Sequence, residues 1–290
     1  MSMQQRISPA QSGHYFSEAA RVTFATAYPD APVKITHGLA GHPLLSREAL
    51  AQLAERIPLD SVEYNLGNLP LGLKPEDTPS NGLSLGDTIR TIDTNGSWAV
   101  LKNVERDPEY GALLDALLAE LEPIVMRKTG AMVHREAFIF LTSPGSVTPF
   151  HMDPEHNILL QIENEKTMTV FPARDETLVP AEQSESFHLG GHRNLQWDEG
   201  FMAKGKAFPL KPGEAVHVPV KAPHFVKNGD GVSVSLSITW RSERSVAEGE
   251  LHSMNAALRR HGMPRVAVTG RPEGQRVHRL LYRIMRKLGV

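Results

Sequence analysis

The chain contains no cysteine, which removes disulfides, thiolate metal sites and cysteine nucleophiles together. Any metal must therefore be held by histidine and carboxylate side chains, a donor set that favours a hard or borderline ion. No run of eighteen or more apolar residues occurs, and the stretch 1–17 lacks the charged, apolar and small-residue order of a secretory signal, so a cytoplasmic protein is expected. An excess of one charge is missing as well. With 31 Lys and Arg against 33 Asp and Glu, the net charge of -2 gives no global pull towards nucleic acid or membrane. What is present, 290 residues of which 40% are hydrophobic, is sufficient for a substantial buried core.

The pattern divides the chain into an N-terminal arm and helical or irregular flank over 1–130, a β-rich core over 131–245 and a helical extension over 246–290. About thirty polar residues open the chain and end in Tyr28-Pro29-Asp30-Ala31-Pro32, which reads as a loosely held arm. Ser46 caps a helix that runs to Arg56 and stops at Pro58. Residues 66–85 are dense in Gly, Pro, Asn and Ser and read as an irregular connection. Trp98–Leu101 reads as a strand and Pro108–Met126 as a helix, with Leu113, Leu114, Leu117, Leu118 and Leu121 on one stripe. From Ala137 the chain turns to short strands, at 137–142, 147–153, 157–162, 167–172, 215–219 and 232–240, which argues for a β-sandwich or barrel. The stretch 173–209 interrupts them and is expected to cross the barrel mouth; helices follow at 246–261 and 276–288.

Thr148-Pro149-Phe150-His151-Met152-Asp153 sets an imidazole and a carboxylate two residues apart in a stretch that reads as strand. Residues i and i+2 of a strand share a face, so His151 and Asp153 can grip one ion from one side. A second strand-borne fragment, Gly213 to His224, offers the third ligand. His217 lies on the same fragment, but strand parity and the position of Pro219 favour His224. Two imidazoles and one carboxylate leave metal positions open, the arrangement of non-haem Fe(II) oxygenases, whereas a structural zinc site closes its fourth position with protein. His156, His188 and His192 read as loop histidines, the last two placed where a lid would meet substrate; Trp240 and Phe171 read as core.

These spacings resemble the JmjC-type 2-oxoglutarate oxygenases of the cupin superfamily, in the branch containing the asparaginyl hydroxylase of the hypoxia-inducible factor and many bacterial cupin-like proteins. Gly145 to His151 matches the first cupin pattern; Gly213, Pro219, His224 and Asn228 match the second, with Lys221 where glycine is usual. The resemblance covers about residues 137–242. It implies a mainly β fold, a double-stranded β-helix or jelly-roll core with flanking helices at both ends. It further implies Fe(II) held by His151, Asp153 and His224, and 2-oxoglutarate as cosubstrate bound by Thr148 and Lys166, with Asn157 nearby. A dicarboxylate chelating the metal through its keto-acid end leaves a second carboxylate that needs a cation and a hydroxyl. O2 is the second cosubstrate, and the implied reaction is hydroxylation of a protein side chain or small molecule. In two places the chain departs from that enzyme: Val100 stands for a cosubstrate-contacting tyrosine, and an asparagine falls on Ser237 or Ile238. The rival readings are a metal cupin of another reaction class, a regulatory or nucleic-acid-binding protein on the same barrel, and a histone demethylase.

The stretch 271–290 is basic, and Val277, Leu280, Leu281, Ile284, Met285 and Leu288 recur at helical spacing. An amphipathic helix of this kind is expected to dock on its own protein or pair in a homodimer, with nucleic acid or a membrane surface as alternatives.

Overall fold

The computed structural model describes residues 13–66, 81–83 and 85–287. Most of the connection expected at 66–85 and the apolar Leu288 lie outside the described residues. The described strands form two antiparallel sheets. Strands β1 (Val33–Thr36), β2 (Val62–Leu66), β3 (Ser97–Lys102), β4 (Val133–Thr142), β6 (His156–Glu163), β9 (Glu214–Val218) and β11 (Ser233–Arg241) make a seven-stranded sheet in the order β1-β9-β6-β11-β4-β3-β2. Strands β5 (Val147–His151), β7 (Lys166–Val170), β8 (Lys206–Leu210) and β10 (His224–Asn228) make a four-stranded sheet in the order β5-β10-β7-β8. This is the expected jelly-roll, and three strands of the first 130 residues extend its larger sheet.

Alternation decides which side chains enter the barrel. Along β6, Ile158, Leu160 and Ile162 face outward into a core shared with the helices, while Leu159 points inward to Met168, Val170, Phe208, Val216, Val218 and Val226. The inner face is also partly polar, and its polar groups satisfy each other. Ser235 Oγ donates to Gln161 Oε1 at 2.7 Å, Gln161 Nε2 donates to Ser233 Oγ at 2.9 Å, and Ser237 Oγ donates to Asn157 Oδ1 at 2.6 Å. The turn glycines of the two cupin-like patterns, Gly145 (φ +69) and Gly213 (φ +87), occupy the left-handed region open chiefly to glycine.

Helices cover the outer face of the larger sheet. Helix α2 (Arg47–Arg56) is capped by Ser46, whose side chain accepts from Ala49 N, as expected. Helix α4 (Pro108–Thr129) is capped by Asp107, starts on proline and buries Leu113, Leu114, Leu117, Leu118, Leu121 and Val125 along one stripe. Short helix α3 (Leu85–Arg90) precedes β3.

The N-terminal arm departs from expectation. Helix α1 (Glu18–Ala27) is capped by Ser17, and Phe16, Ala20, Phe24 and Tyr28, spaced four apart, are all buried. The Glu120 carboxylate of α4 accepts from the Tyr15 and Phe16 amides at 2.7 and 2.9 Å. The polar composition of the segment hid a four-residue apolar period; residues 1–12 lie outside the described residues. The excursion 173–209 is also more ordered than expected: it contains helix α5 (Ala181–His188) and β8. Its Phe187, Trp197 and Phe201 pack with Phe150, Phe171 and Phe225 on the outer face of the smaller sheet, so apolar burial holds most of it there, while residues 193–194 reach the end of β5.

Phe24→Ala is expected to lower unfolding free energy by about 3–5 kcal/mol, read by chemical denaturation. A loss below about 1 kcal/mol would show that α1 is not part of the cooperative core.

Candidate metal centre

Strand register makes the site. His224, the first residue of β10, lies directly across from His151, the last residue of β5, so their side chains share the inner face. Their ring centroids are 4.1 Å apart. Asp153 lies past the end of β5 rather than on it, because Pro154 has no amide to extend a ladder. The loop is fixed from outside: Lys221 N donates to the Asp153 carbonyl at 2.8 Å, and Met152 N donates to the Arg193 carbonyl at 3.2 Å. Asp153 Oδ2 then stands 3.8 Å from His151 Nε2 and 3.5 Å from His224 Nε2. One donor atom from each residue falls within 4.8 Å of the others, a cluster able to hold a metal ion.

Both rings carry the tautomer a metal ligand needs. His151 Nδ1 lies 2.7 Å from the Pro149 carbonyl and His224 Nδ1 lies 2.9 Å from the Ala222 carbonyl. A carbonyl can only accept, so each Nδ1 donates and each Nε2 keeps its lone pair towards the cluster. Burial, reinforced by the neighbouring His224 charge, pushes His151 down to about 3; burial likewise pushes His224 down. Neutral imidazoles are the ligand form. Burial works to raise the Asp153 carboxyl, but His151, Arg193 and His224 outweigh it and hold it below its ordinary value. Arg193 Nη1 meets the other oxygen, Oδ1, at 3.3 Å, leaving Oδ2 to the histidines. The donor set therefore fits a divalent metal.

The other expected residues lie on the same barrel interior. Thr148 is cross-strand from Val226 through a bulge in β5, where Pro149 and Phe150 stand against Phe225, and Val226 is cross-strand from Met168. Lys166 opens β7, is 5% exposed and lies across from Asn228. It has no carboxylate partner among the described residues, and burial pushes its ammonium down to about 7. Asn157 accepts from Ser237, so Ser237 is the inward residue of the pair left open by sequence; Ile238 faces the outer core. Val100 is buried and paired with Phe140 on the inner side.

His156, His217 and His188 are structural. His156, expected in a loop, is the buried first residue of β6, stacked on Trp240 at 5.4 Å and bonded to Ser242 Oγ. His217 lies between Phe24 and Tyr28 on the outer face and donates to the Ala31 carbonyl, as parity requires. His188, expected at substrate, stacks on His252 of helix α6 (Glu243–Arg260) at 5.1 Å.

Sequence reasoning missed the support behind the cluster. Lys221 adopts a left-handed conformation (φ +61), which is why glycine suits this place. Its buried side chain runs back to α6, donating to His252 Nε2 at 2.8 Å with Glu248 at 3.6 Å. Arg241 at the root of α6 holds Glu155 at 2.9 Å. The Lys221 turn is thus braced by α6 and the Asp153 turn by the end of β11.

The described strands thus form a jelly-roll that carries two histidines and a carboxylate at one end of its interior. No family model matches the chain. It is 30% identical over 105 residues to lysine-specific demethylase JMJ30 of Arabidopsis thaliana, covering 34% of this chain and 24% of that protein. It is 30% identical over 107 residues to Jumonji C domain-containing protein 5 of Drosophila melanogaster, 35% of this chain and 26% of that one. The match thus spans about a quarter of each curated relative. In structure it is similar to YcfD, a ribosomal oxygenase from Escherichia coli, with a TM-score of 0.51 and 16% identity over 93% of this chain and 68% of that one.

Replacing Lys221 by Gly together with Glu248→Gln keeps the backbone conformation and leaves no buried charge unpaired. The double variant is expected to bind Mn(II) about 10–100-fold more weakly in calorimetric titration. Unchanged affinity would show that the α6 brace does not position the ligands.

Proposed function

We propose that the chain is an Fe(II)- and 2-oxoglutarate-dependent oxygenase that hydroxylates a protein side chain or small molecule. The observation that carries this reading is the pairing, on one inner face, of the His151–Asp153–His224 cluster with a buried lysine that lacks a carboxylate partner among the described residues. Lys166 is cross-strand from Asn228, four residues and ~13 Å along β10 from His224. Its side chain and a short dicarboxylate between them bridge that length.

In this reading His151 Nε2, His224 Nε2 and Asp153 Oδ2 hold the metal. The bound iron supplies O2 activation coupled to oxidative decarboxylation of 2-oxoglutarate to succinate and carbon dioxide. The Lys166 ammonium and the Thr148 hydroxyl receive the distal carboxylate, and Asn157, held by Ser237, faces the same interior from the larger sheet. Leu159, Met168, Val170 and Val218 wall the interior with apolar surface and exclude water. Catalysis belongs to residues 131–245, with 1–130 and 246–290 as support. The demethylase names of the curated relatives favour a second substrate class, N-methylated lysine, because hydroxylating an N-methyl carbon is the same step and the product loses formaldehyde. A cytoplasmic setting suits 2-oxoglutarate, a metabolite; among the described residues no helix is long and apolar enough to cross a membrane.

Anaerobic titration with Fe(II) and 2-oxoglutarate is expected to develop the weak visible metal-to-ligand charge-transfer band, and Lys166→Ala to need at least about tenfold more 2-oxoglutarate. Metal binding without the band would move the chain to another cupin chemistry. The free Lys166 loses its proton near pH 7, and only the ammonium pairs with the carboxylate. Wild-type affinity for 2-oxoglutarate is therefore expected to fall by up to about tenfold per pH unit above that point. Lys166→Arg, charged throughout, should flatten the profile.

A further inference from the structure

Helix α7 (Arg276–Lys287) docks the wrong way round for a helix serving only its own core. Its polar face turns inward: Arg279 is buried, and Arg279 Nε and Arg283 Nε donate to the Glu250 carboxylate of α6 at 2.6 and 2.7 Å. Its apolar stripe turns outward, with Val277 70%, Leu280 59%, Leu281 47% and Ile284 47% exposed. At 100° per residue these four side chains occupy one sector, and Arg276, Arg283 and Lys287 follow along one edge of it. The helix contains no acidic residue. Arg276, Arg286 and Lys287 are exposed and have no ion-pair partner among the described residues.

We infer that α7 is a surface anchor for an anionic lipid bilayer, inserting Val277, Leu280, Leu281 and Ile284 at the headgroup boundary while Arg276 and Lys287 meet lipid phosphates. Charge selects this occupant. An antiparallel two-fold pairing of α7 with a second copy would set one cationic edge near the other, and Glu250, the acid that pairs with this helix, is already shared by two arginines. Nucleic acid would meet the cations but leave the aliphatic stripe in water. An anionic bilayer satisfies both, since the helix presents a convex aliphatic ridge rather than a groove. Twelve residues span ~18 Å, too short to cross the ~30 Å hydrocarbon core, so the helix lies flat with the barrel held above it. The inference is independent of the metal site.

The test uses the full chain and sedimentation with phosphatidylcholine vesicles, with and without phosphatidylglycerol. The chain should sediment with the phosphatidylglycerol vesicles and stay in solution with the others. Ile284→Asp and Leu280→Asp should abolish binding, and Arg276→Gln and Lys287→Gln should each weaken it about fivefold. These side chains are exposed, so thermal unfolding of the variants should match wild type. The inference is overturned if the chain ignores phosphatidylglycerol vesicles or if Ile284→Asp binds them as wild type does. It is also overturned if wild type is a dimer that Ile284→Asp dissociates, without vesicle binding, which would assign the stripe to a second copy.

Discussion

The structure depends on the pairing of β5 with β10. That antiparallel register puts His224 across from His151, and the bulge in β5 before His151 restores Thr148 to the same inner face opposite Val226. A slip of one residue would send His224 outward to the aromatic layer and bring Phe225 into the barrel. Two apolar interiors hold the register in place. Met168, Val170 and Val226 fill one side of the smaller sheet, and Phe150, Phe171 and Phe225 fill the other, so neither face tolerates the exchange. The residues 193–195 run along the free edge of β5, where Leu195 N donates to the Phe150 carbonyl and the strand cannot accept a foreign partner.

The carboxylate is placed by different means. Asp153 follows the strand and would be free to turn, but a backbone amide, an arginine and a proline restrict it. That amide belongs to Lys221, whose side chain ends in the buried pair with Glu248 and His252. Burial opposes the charge on Glu248, yet His252 and Lys221 hold its carboxyl down to about 2. A residue in a conformation unfavourable for lysine is kept because its ammonium has a fixed destination. The His188 ring, stacked on His252, extends the same contact into α5.

How much of this could be read from the chain depends on range. Short strand-like runs broken by turns marked β4, β6, β9 and β11, and the Leu stripe behind Pro108 marked α4, because those signals are local. Strand β10 escaped since it starts at the ligand itself, directly after Pro223, and is only five residues long. Helix α1 escaped because its apolar period is carried by few residues in a polar stretch. The His151, Asp153 and His224 cluster was legible through spacing and the inward places of Thr148 and Lys166 through the resemblance, whereas the partners of Lys221 were not, since Glu248 and His252 share no local pattern with it. The amphipathic character of α7 was plain in the sequence, but its orientation was decided by Glu250, a residue on another helix.

The distance in sequence between His151 and His224 has a thermodynamic consequence. The unfolded chain contains no preformed cluster: the two imidazoles meet only when β5 and β10 have paired, and Asp153 joins them only when the Lys221 turn has closed. A metal that binds all three therefore binds the native state alone, and its binding free energy adds to folding free energy. At free metal a hundredfold above the dissociation constant the gain is about 2.7 kcal/mol, a sizeable share of the stability of an ordinary domain. Supply of metal in the cell would then set not only how many molecules are loaded but how many persist folded.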